Sequence, residues 1–542
     1  MSAKHLTDIY SIANAFTKIG SIFLQIQTKN AQWFYKTSNW QLSVKYQQSH
    51  PYPSSPPPQY ISRELKKVTN PLDESLNVKL NSEITINKPY IQQDPNNGTR
   101  DNIQQNLLKE SKIPTSRVSR LFHYGGLAIG LGVGAMGEVI RRTTGVSSTQ
   151  GGSILISEAN INRLVNKLSR MRGAALKLGQ MISIQDNDIL PTQLEKVLLR
   201  VQNSANYMPN WQMEKVMLNG LGPDWRDNFK NFEPFPIAAA SIGQVHSAQL
   251  SKPPYMPVAI KVQYPGISAS IDSDLNNLRT LVIMSNLLPK GLYLENTIKV
   301  ARRELAWETD YVREAECMEK FENILKDDKD FVIPKVVKEF STRMVLTSEK
   351  MMGEPLTNAI NYSQELRDQI CEKILRLCLR ELFEFKFMQT DPNWTNFFYN
   401  VETRKIELVD FGASREFDST FIDSYLQILK SATKVDREGC IYYSEQLGFL
   451  TGYETEVMRN AHVDSILTLG EPFSTNIYDF SKQTITRRVK DLIPTMLKYR
   501  LTPPPDATYS LHRKLSGVFL LCAKLGAKVK CRDIFEDVVG KI

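Results

Sequence analysis

None of the six cysteines in this 542-residue chain, Cys317, Cys371, Cys378, Cys440, Cys522 and Cys531, forms a CxxC pair. That scatter suits buried thiols in a reducing compartment better than disulfides or structural zinc. Zinc-finger spacing, an RNP-like aromatic pattern and long Lys/Arg runs are also missing. Nucleic-acid binding therefore has only the net charge of +9 behind it and is set aside. That charge, with a pI near 9.0, suits either an acidic lipid surface or plain solubility. With 42% hydrophobic and 23% charged residues the chain is globular in composition, and its length implies two to four units at about 150 residues each.

Acid and arginine are scarce at the start. Up to Arg63 the only acidic residue is Asp8 and no other arginine occurs, while Lys4, Lys18, Lys29, Lys36 and Lys45 supply positive charge. Ile9, Ile12, Phe16, Ile19 and Phe23 recur at helical spacing. The pattern resembles a mitochondrial presequence, although the missing arginines leave an amphipathic docking helix open. A proline run, Pro51 to Pro58, and a polar Asn-rich stretch, Gln92 to Gln105, read as linker.

Long apolar stretches are rare too. From Leu121 to Gly137 about seventeen mostly apolar residues lie between Arg117 and Arg120 on one side and Arg141 and Arg142 on the other. The stretch is a marginal span, and Gly126, Gly130 and Gly134 give it two overlapping GxxxG steps. In a soluble helix each interior glycine costs about 1 kcal/mol relative to alanine. We therefore expect a single membrane helix over 117–142, with a homodimer contact through its glycine face.

What is present points to phosphoryl transfer. Val258-Ala259-Ile260-Lys261 reads as a strand with Lys261 facing a cleft, and Ile406 to Val409 reads as a strand ending at Asp410-Phe411-Gly412. Asp391 and Asn396 lie five residues apart, the separation of a kinase catalytic base and its second metal ligand. A lysine on a strand, an aspartate beside the nucleophile, and Asn and Asp ligands for Mg²⁺ make up such a site, and they occur here in chain order. Upstream, Ile161 to Ile182 has helical apolar spacing, with Lys177, Gly179 and Gln180 in a Lys-x-Gly-Gln element.

That element, followed by Ala238-Ala239-Ala240-Ser241, Glu308-x-Asp310, Glu314 and Gln389-Thr390-Asp391-Pro392-Asn393-Trp394, resembles the UbiB family of atypical kinases and its mitochondrial coenzyme Q branch. The resemblance spans roughly Arg117 to Phe417. It implies an α+β, protein-kinase-like two-lobed fold with an N-terminal helical extension. It also implies ATP and Mg²⁺ as cofactors and a kinase or ATPase activity supporting ubiquinone biosynthesis on the matrix side of the mitochondrial inner membrane. Implied partners are ATP and ADP, anionic membrane lipid, lipid-like quinone intermediates and other coenzyme Q proteins. A nucleotide-gated scaffold without useful turnover is the alternative. Carried over by motif, Glu314 pairs with Lys261, Ala238 to Ser241 stand where a glycine loop covers phosphates, and Lys177, Gly179, Gln180, Glu308 and Asp310 are regulatory.

The residues add four expectations. Alanine in place of glycine stiffens the phosphate loop. On one straight helix Glu308 projects about 200° away from Asp310, while Asp310 and Glu314 share a face, so these acids are expected to serve different partners, with Glu314 orienting Lys261 and Glu308 and Asp310 addressing Lys177 and Gln180 across the cleft. Met344 to Gly353 reads as a strand leading to an adenine-receiving hinge at Glu349 and Met351. No Ala-Pro-Glu element follows Gly412, which argues against peptide substrates. The expected organisation is 1–50 presequence, 51–116 linker, 117–142 membrane helix, 143–232 extension, 233–355 N-lobe and 356–542 helical C-lobe.

Overall fold

Alternation along β4, Pro257–Gln263, decides which way each side chain faces. Val258, Ile260 and Val262 are wholly buried on one side, and Ala259 and Lys261 fall on the other. The computed structural model describes residues 109–111, 113–114, 119–120, 125–127, 130, 162–163, 165–166, 168, 173, 206–285 and 293–540, all within the unit Gln105–Ile542.

The sheet around β4 is antiparallel, in the order β1 (Phe229–Lys230), β3 (Gly243–Leu250), β4, β5 (Val345–Glu349), with β2 (Ala238–Ala239) also paired to β3. The register opposes Lys261 to Val245 on one neighbour and to Leu346 on the other. The sheet begins at Phe229, ahead of the boundary expected at 233, because Phe229 and Lys230 pair with Leu250 and Gln249. Helix α1, Asn210–Leu221, buries Met213, Val216 and Met217 and packs on β4 and β5. A buried polar relay ties this helical stretch to the sheet. Gln244 Oε1 accepts from Met208 N at 2.8 Å, and Gln244 Nε2 lies 2.9 Å from His246 Nε2.

Helices α2 (Ile267–Ser285), α3 (Leu294–Glu308) and α4 (Tyr311–Leu325) complete the sheet lobe. The rest is mostly helical. α5, Gln364–Phe383, starts at Ser363, whose Oγ accepts from Leu366 N at 3.3 Å. Strand β6 (Phe387–Gln389) precedes the hairpin of β7 (Phe397–Asn400) and β8 (Lys405–Leu408), and β9 (Ser414–Glu416) pairs back to β6. α6 (Ser419–Thr433), α7 (Arg437–Leu447), α8 (Glu456–Ser474), α9 (Ile485–Tyr499), α10 (Asp506–Leu525) and α11 (Cys531–Val539) follow. α5 packs against α10 and α11, and all six cysteines are buried and free.

The expected membrane helix finds no support: among the described residues no helix is long and apolar enough to cross a membrane. Within 117–142, Arg120 and Leu127 are instead buried in protein, while Gly126 is exposed. Arg120 is 1% exposed, donates from Nη1 to Asp274 Oδ2 of α2 at 2.6 Å and from Nε to the Pro114 carbonyl, and Leu127 joins the hydrophobic core. A cation paired with a buried carboxylate has no place facing lipid tails. The open side of Gly130 meets Arg163 of the same chain, whose Nη1 donates to the Gly130 carbonyl at 3.0 Å, so the glycine face expected for a second copy is used internally there. The presequence expectation, the linker expectation up to residue 108, and Gly134, Lys177, Gly179 and Gln180 lie outside the described residues. The end of the expected 51–116 linker is ordered: Lys109 and Glu110 pair in parallel with Asn206 and Tyr207, and Ile113 is wholly buried with its backbone bonded to Gln212.

Candidate nucleotide site

The break between α3 and α4 sets the site geometry and overturns the expectation of one straight helix through Glu308, Asp310 and Glu314. α3 ends at Glu308, Thr309 returns its Oγ1 to the Leu305 carbonyl at 3.0 Å, and Asp310 starts α4 as its N-cap, accepting from Arg313 N at 3.4 Å. The reset of helix phase brings Glu308 and Glu314 to the same place. A Cβ on Gly412 would sit 3.3 Å from Glu314 Oε2, 3.4 Å from Asp410 Oδ1 and 3.5 Å from Glu308 Cγ. Asp310 faces elsewhere, with Arg343 at 3.8 Å.

Lys261 reaches into this acidic cluster from β4. Its Nζ donates to Glu314 Oε1 at 2.6 Å and lies 3.4 Å from Asp410 Oδ2. Burial opposes its charge, but the Asp410 and Glu314 carboxylates outweigh that and hold the ammonium well above its usual range. Burial pushes Glu314 up to about 7 against the pull of Lys261, and Asp410 and Glu308 push the same way.

The loop carrying Asp410 is locked to α4 twice. Phe411 is fully buried with its ring 5.2 Å from Phe321 of α4. Arg313 donates to the Gly412 carbonyl at 3.2 Å and to the Ser414 carbonyl. Asp410 Oδ1 accepts from Gly412 N at 3.0 Å, which fixes the carboxylate. Asn396 ends the turn before β7. Val409 N donates to its carbonyl at 3.1 Å, so pairing of β7 with β8 sets Asn396 beside Asp410. Asn396 is 9% exposed and its Nδ2 is buried without a partner. Rotation of that carboxamide presents Oδ1 at the same spot.

Among the described residues no three His, Cys, Asp or Glu form a ready-made metal cluster. One carboxylate and one carboxamide are the hard oxygen donors that Mg²⁺ takes from a protein when phosphates and water complete its shell, so the donor set fits.

Asp391 is half-buried and accepts from Asn393 N at 3.2 Å. The loop around it rests on α10, a support that sequence spacing did not reveal. Arg513 donates from Nε to the Thr390 carbonyl at 3.4 Å and from Nη2 to Glu304 at 2.9 Å, and Lys514 donates to Gln389 Oε1 at 3.0 Å beside Glu381 at 3.3 Å. A Cβ on Gly517 would fall 2.0 Å from Pro392 Cβ, so only glycine lets helix and loop meet this closely. Arg313 was missed as well. In sequence it is only another cation on an amphipathic helix.

The alanine segment is a pinned hairpin. Ala238 and Ala239 pair with Val245 and Gln244, and Ala240 N donates to the Gly243 carbonyl at 2.8 Å. The Ser241 carbonyl accepts from Gly173 N of the extension at 3.0 Å. At the hinge, Glu349 N donates to the Lys335 carbonyl at 2.8 Å and Lys350 N to Pro257, while Met351 is half-buried where the chain leaves the sheet. Six residues, 413–418, separate Gly412 from α6, and three of them form β9.

Comparison with known proteins agrees with this geometry. Residues 200–444 match the ABC1 atypical kinase-like domain. The mitochondrial atypical kinase COQ8 of Saccharomyces cerevisiae is 50% identical over 467 residues, 84% of this chain and 93% of the relative. The Schizosaccharomyces pombe COQ8 protein is 51% identical over 436 residues, 80% of this chain and 71% of the relative. COQ8B of Danio rerio is 50% identical over 435 residues, 79% and 69% of the two chains. A solved Mycobacterium tuberculosis structure, Rv3197 in complex with erythromycin, aligns over 70% of this chain and 96% of its own at a TM-score of 0.51 and 23% identity, a likeness of fold.

Proposed function

The chain belongs to the UbiB family of atypical kinases, enzymes of the phosphotransferase class, and from that premise we propose that it binds Mg²⁺ and ATP in the cleft at Lys261. The nucleotide is then either hydrolysed or used to phosphorylate a small molecule. The observation that carries this reading is Lys261 Nζ held 2.6 Å from Glu314 and 3.4 Å from Asp410. Glu314 orients the lysine toward phosphate oxygens, Asp410 and Asn396 hold Mg²⁺, and Asp391 receives the acceptor proton. The pinned Ala238–Ser241 hairpin covers the phosphates, and the Glu349 carbonyl and Met351 N–H receive adenine. Bound Mg²⁺ and ATP supply the transferable phosphoryl group and the neutralising charge. The short 413–418 link leaves no platform for a peptide, which favours a small acceptor or water.

Relatives named mitochondrial COQ8 kinases support a mitochondrial role in coenzyme Q biosynthesis, which this reading places at the matrix side of the inner membrane. Anionic lipid, lipid-like quinone intermediates and other coenzyme Q proteins are the partners this role implies. ATP turnover is the test, measured with and without anionic liposomes for the native protein and Asp410→Asn. We expect the substitution to lower turnover by about 10²-fold or more, the scale of losing one electrostatic stabiliser. Turnover indifferent to Asp410→Asn would discard the enzyme reading in favour of a scaffold.

A further inference from the structure

Behind the catalytic loop, α6, α8, α9 and α10 line a cavity of about 260 Å³, near the lower end of small-molecule sites. Ile428, Ile466, Ile493 and Met496 make it apolar. Two lining atoms are of the opposite kind. Thr508 Oγ1 and Arg513 Nη1 are buried without a partner, on residues each 3% exposed. Such atoms cost free energy unless something comes to meet them. Arg500 also lines the cavity. Burial holds its guanidinium below the usual range, and the groups offsetting this are Tyr509 and Tyr293, not a carboxylate. Burial and the charge of Arg500 keep His462 down at about 3 and His512 at about 4, so both line the cavity as neutral imidazoles.

We propose that this cavity is a second ligand site, for an amphiphile whose apolar body fills the bundle and whose single anionic head is received by Arg500 with Thr508 and Arg513. An apolar ligand without a head leaves Thr508 and Arg513 unsatisfied, and a small anion leaves the apolar wall empty. The site is wired to the catalytic loop through one helix. The Arg513 that lines the cavity also donates to the Thr390 carbonyl, and one turn on, Gly517 touches Pro392. Occupancy therefore tunes turnover at Asp391 from behind.

The intact protein is titrated by calorimetry, without nucleotide, with decanoate below its micelle concentration, with decanol and with acetate. One saturable decanoate site is expected and no acetate binding. Arg500→Met should weaken decanoate about tenfold, as loss of a charge-assisted contact does, and leave decanol unchanged. Ile466→Trp, which fills the cavity, should abolish decanoate binding. It should also remove any change decanoate makes in native ATP turnover. Should Ile466→Trp fail to fold, Met496→Phe replaces it, with thermal unfolding as the check. Palmitate-loaded phosphatidylcholine vesicles separate the sources: delivery to native protein but not to the filled variant identifies a bilayer lipid, and decanoate binding without delivery identifies a soluble amphiphile. Absence of saturable decanoate binding, equal affinity in Arg500→Met, or full affinity in a folded filled variant would overturn the proposal. Because the binding arm contains no nucleotide, its failure leaves the Lys261 site untouched.

Discussion

Two ionic clusters face each other across the catalytic loop, and they are built on opposite principles. At the cleft the described residues place Lys261 against two carboxylates, Glu314 and Asp410, with Glu308 close by against Gly412, while Arg313 is engaged by backbone carbonyls. Beneath the loop the charges match one to one, Arg513 with Glu304 and Lys514 with Glu381, all within 3% exposure. The matched pairs are support: they hold Gln389 and Thr390. The cleft cluster is strained instead: burial, with Asp410 and Glu308, pushes Glu314 up to about 7 against the pull of Lys261. A strained carboxyl such as Glu314 in a cleft is the mark of a functional site, whereas one-to-one pairing in a core is architecture.

The largest expected effect comes from unbalancing the balanced cluster. Arg513→Met strands Glu304 in the core and should cost about 3–5 kcal/mol in urea unfolding. The double change Glu304→Leu with Arg513→Met should recover most of that loss, because a buried pair replaced by apolar groups is near neutral. If the single and double variants unfold alike, the pair is not the support described here.

The cleft should respond with the opposite sign. Glu314 keeps its proton up to about 7 in the folded protein, and its ordinary value is 4.5. Between those values the unfolded chain has released a proton that the native state holds. Stability therefore falls as pH rises through the window, by roughly 3 kcal/mol for a shift of this size. Unfolding free energies of the native protein and Glu314→Gln, compared from pH 5 to pH 8, should diverge in that direction. Parallel profiles would remove Glu314 as a strained group. Mg²⁺ with ATP should flatten the native profile by stabilising the ionised form.

The two clusters also differ in how far the sequence announced them. Lys261, Asp391, Asn396 and Asp410 were legible because each sits at a fixed offset within a short segment, and strand alternation or hairpin pairing carries such offsets directly into space. Arg513, Lys514 and Gly517 were not, since they act on residues over 120 positions away and their own helix reads as an ordinary amphipathic core element. The membrane expectation lacks support among the described residues for a related reason. Apolar spacing with glycines describes a helix packed on protein as well as one in lipid, and the deciding contact, Arg120 with Asp274, joins residues 154 apart. At Glu308 and Asp310 the difference from one straight helix is local: Thr309 and Asp310 carry stop and start chemistry that breaks the helix between them.

That break supplies the smallest prediction and the sharpest. Glu308 and Asp310 belong to one short motif, yet one carboxylate lies against Gly412 in the acid-rich cluster and the other caps α4. Asp310→Ala should cost about 1 kcal/mol of stability, the scale of a lost N-cap, and Asp310→Ser should restore it because serine caps equally well. Nucleotide affinity in Asp310→Ser should stay native. Glu308→Gln should act on the cleft instead: the Mg²⁺ concentration needed for nucleotide binding shifts. Calorimetric titrations of ADP across Mg²⁺ concentrations, paired with thermal unfolding, separate the two. If Asp310→Ser loses Mg²⁺-dependent binding as Glu308→Gln does, the two acids act as a unit and the helix break between them does not divide their work.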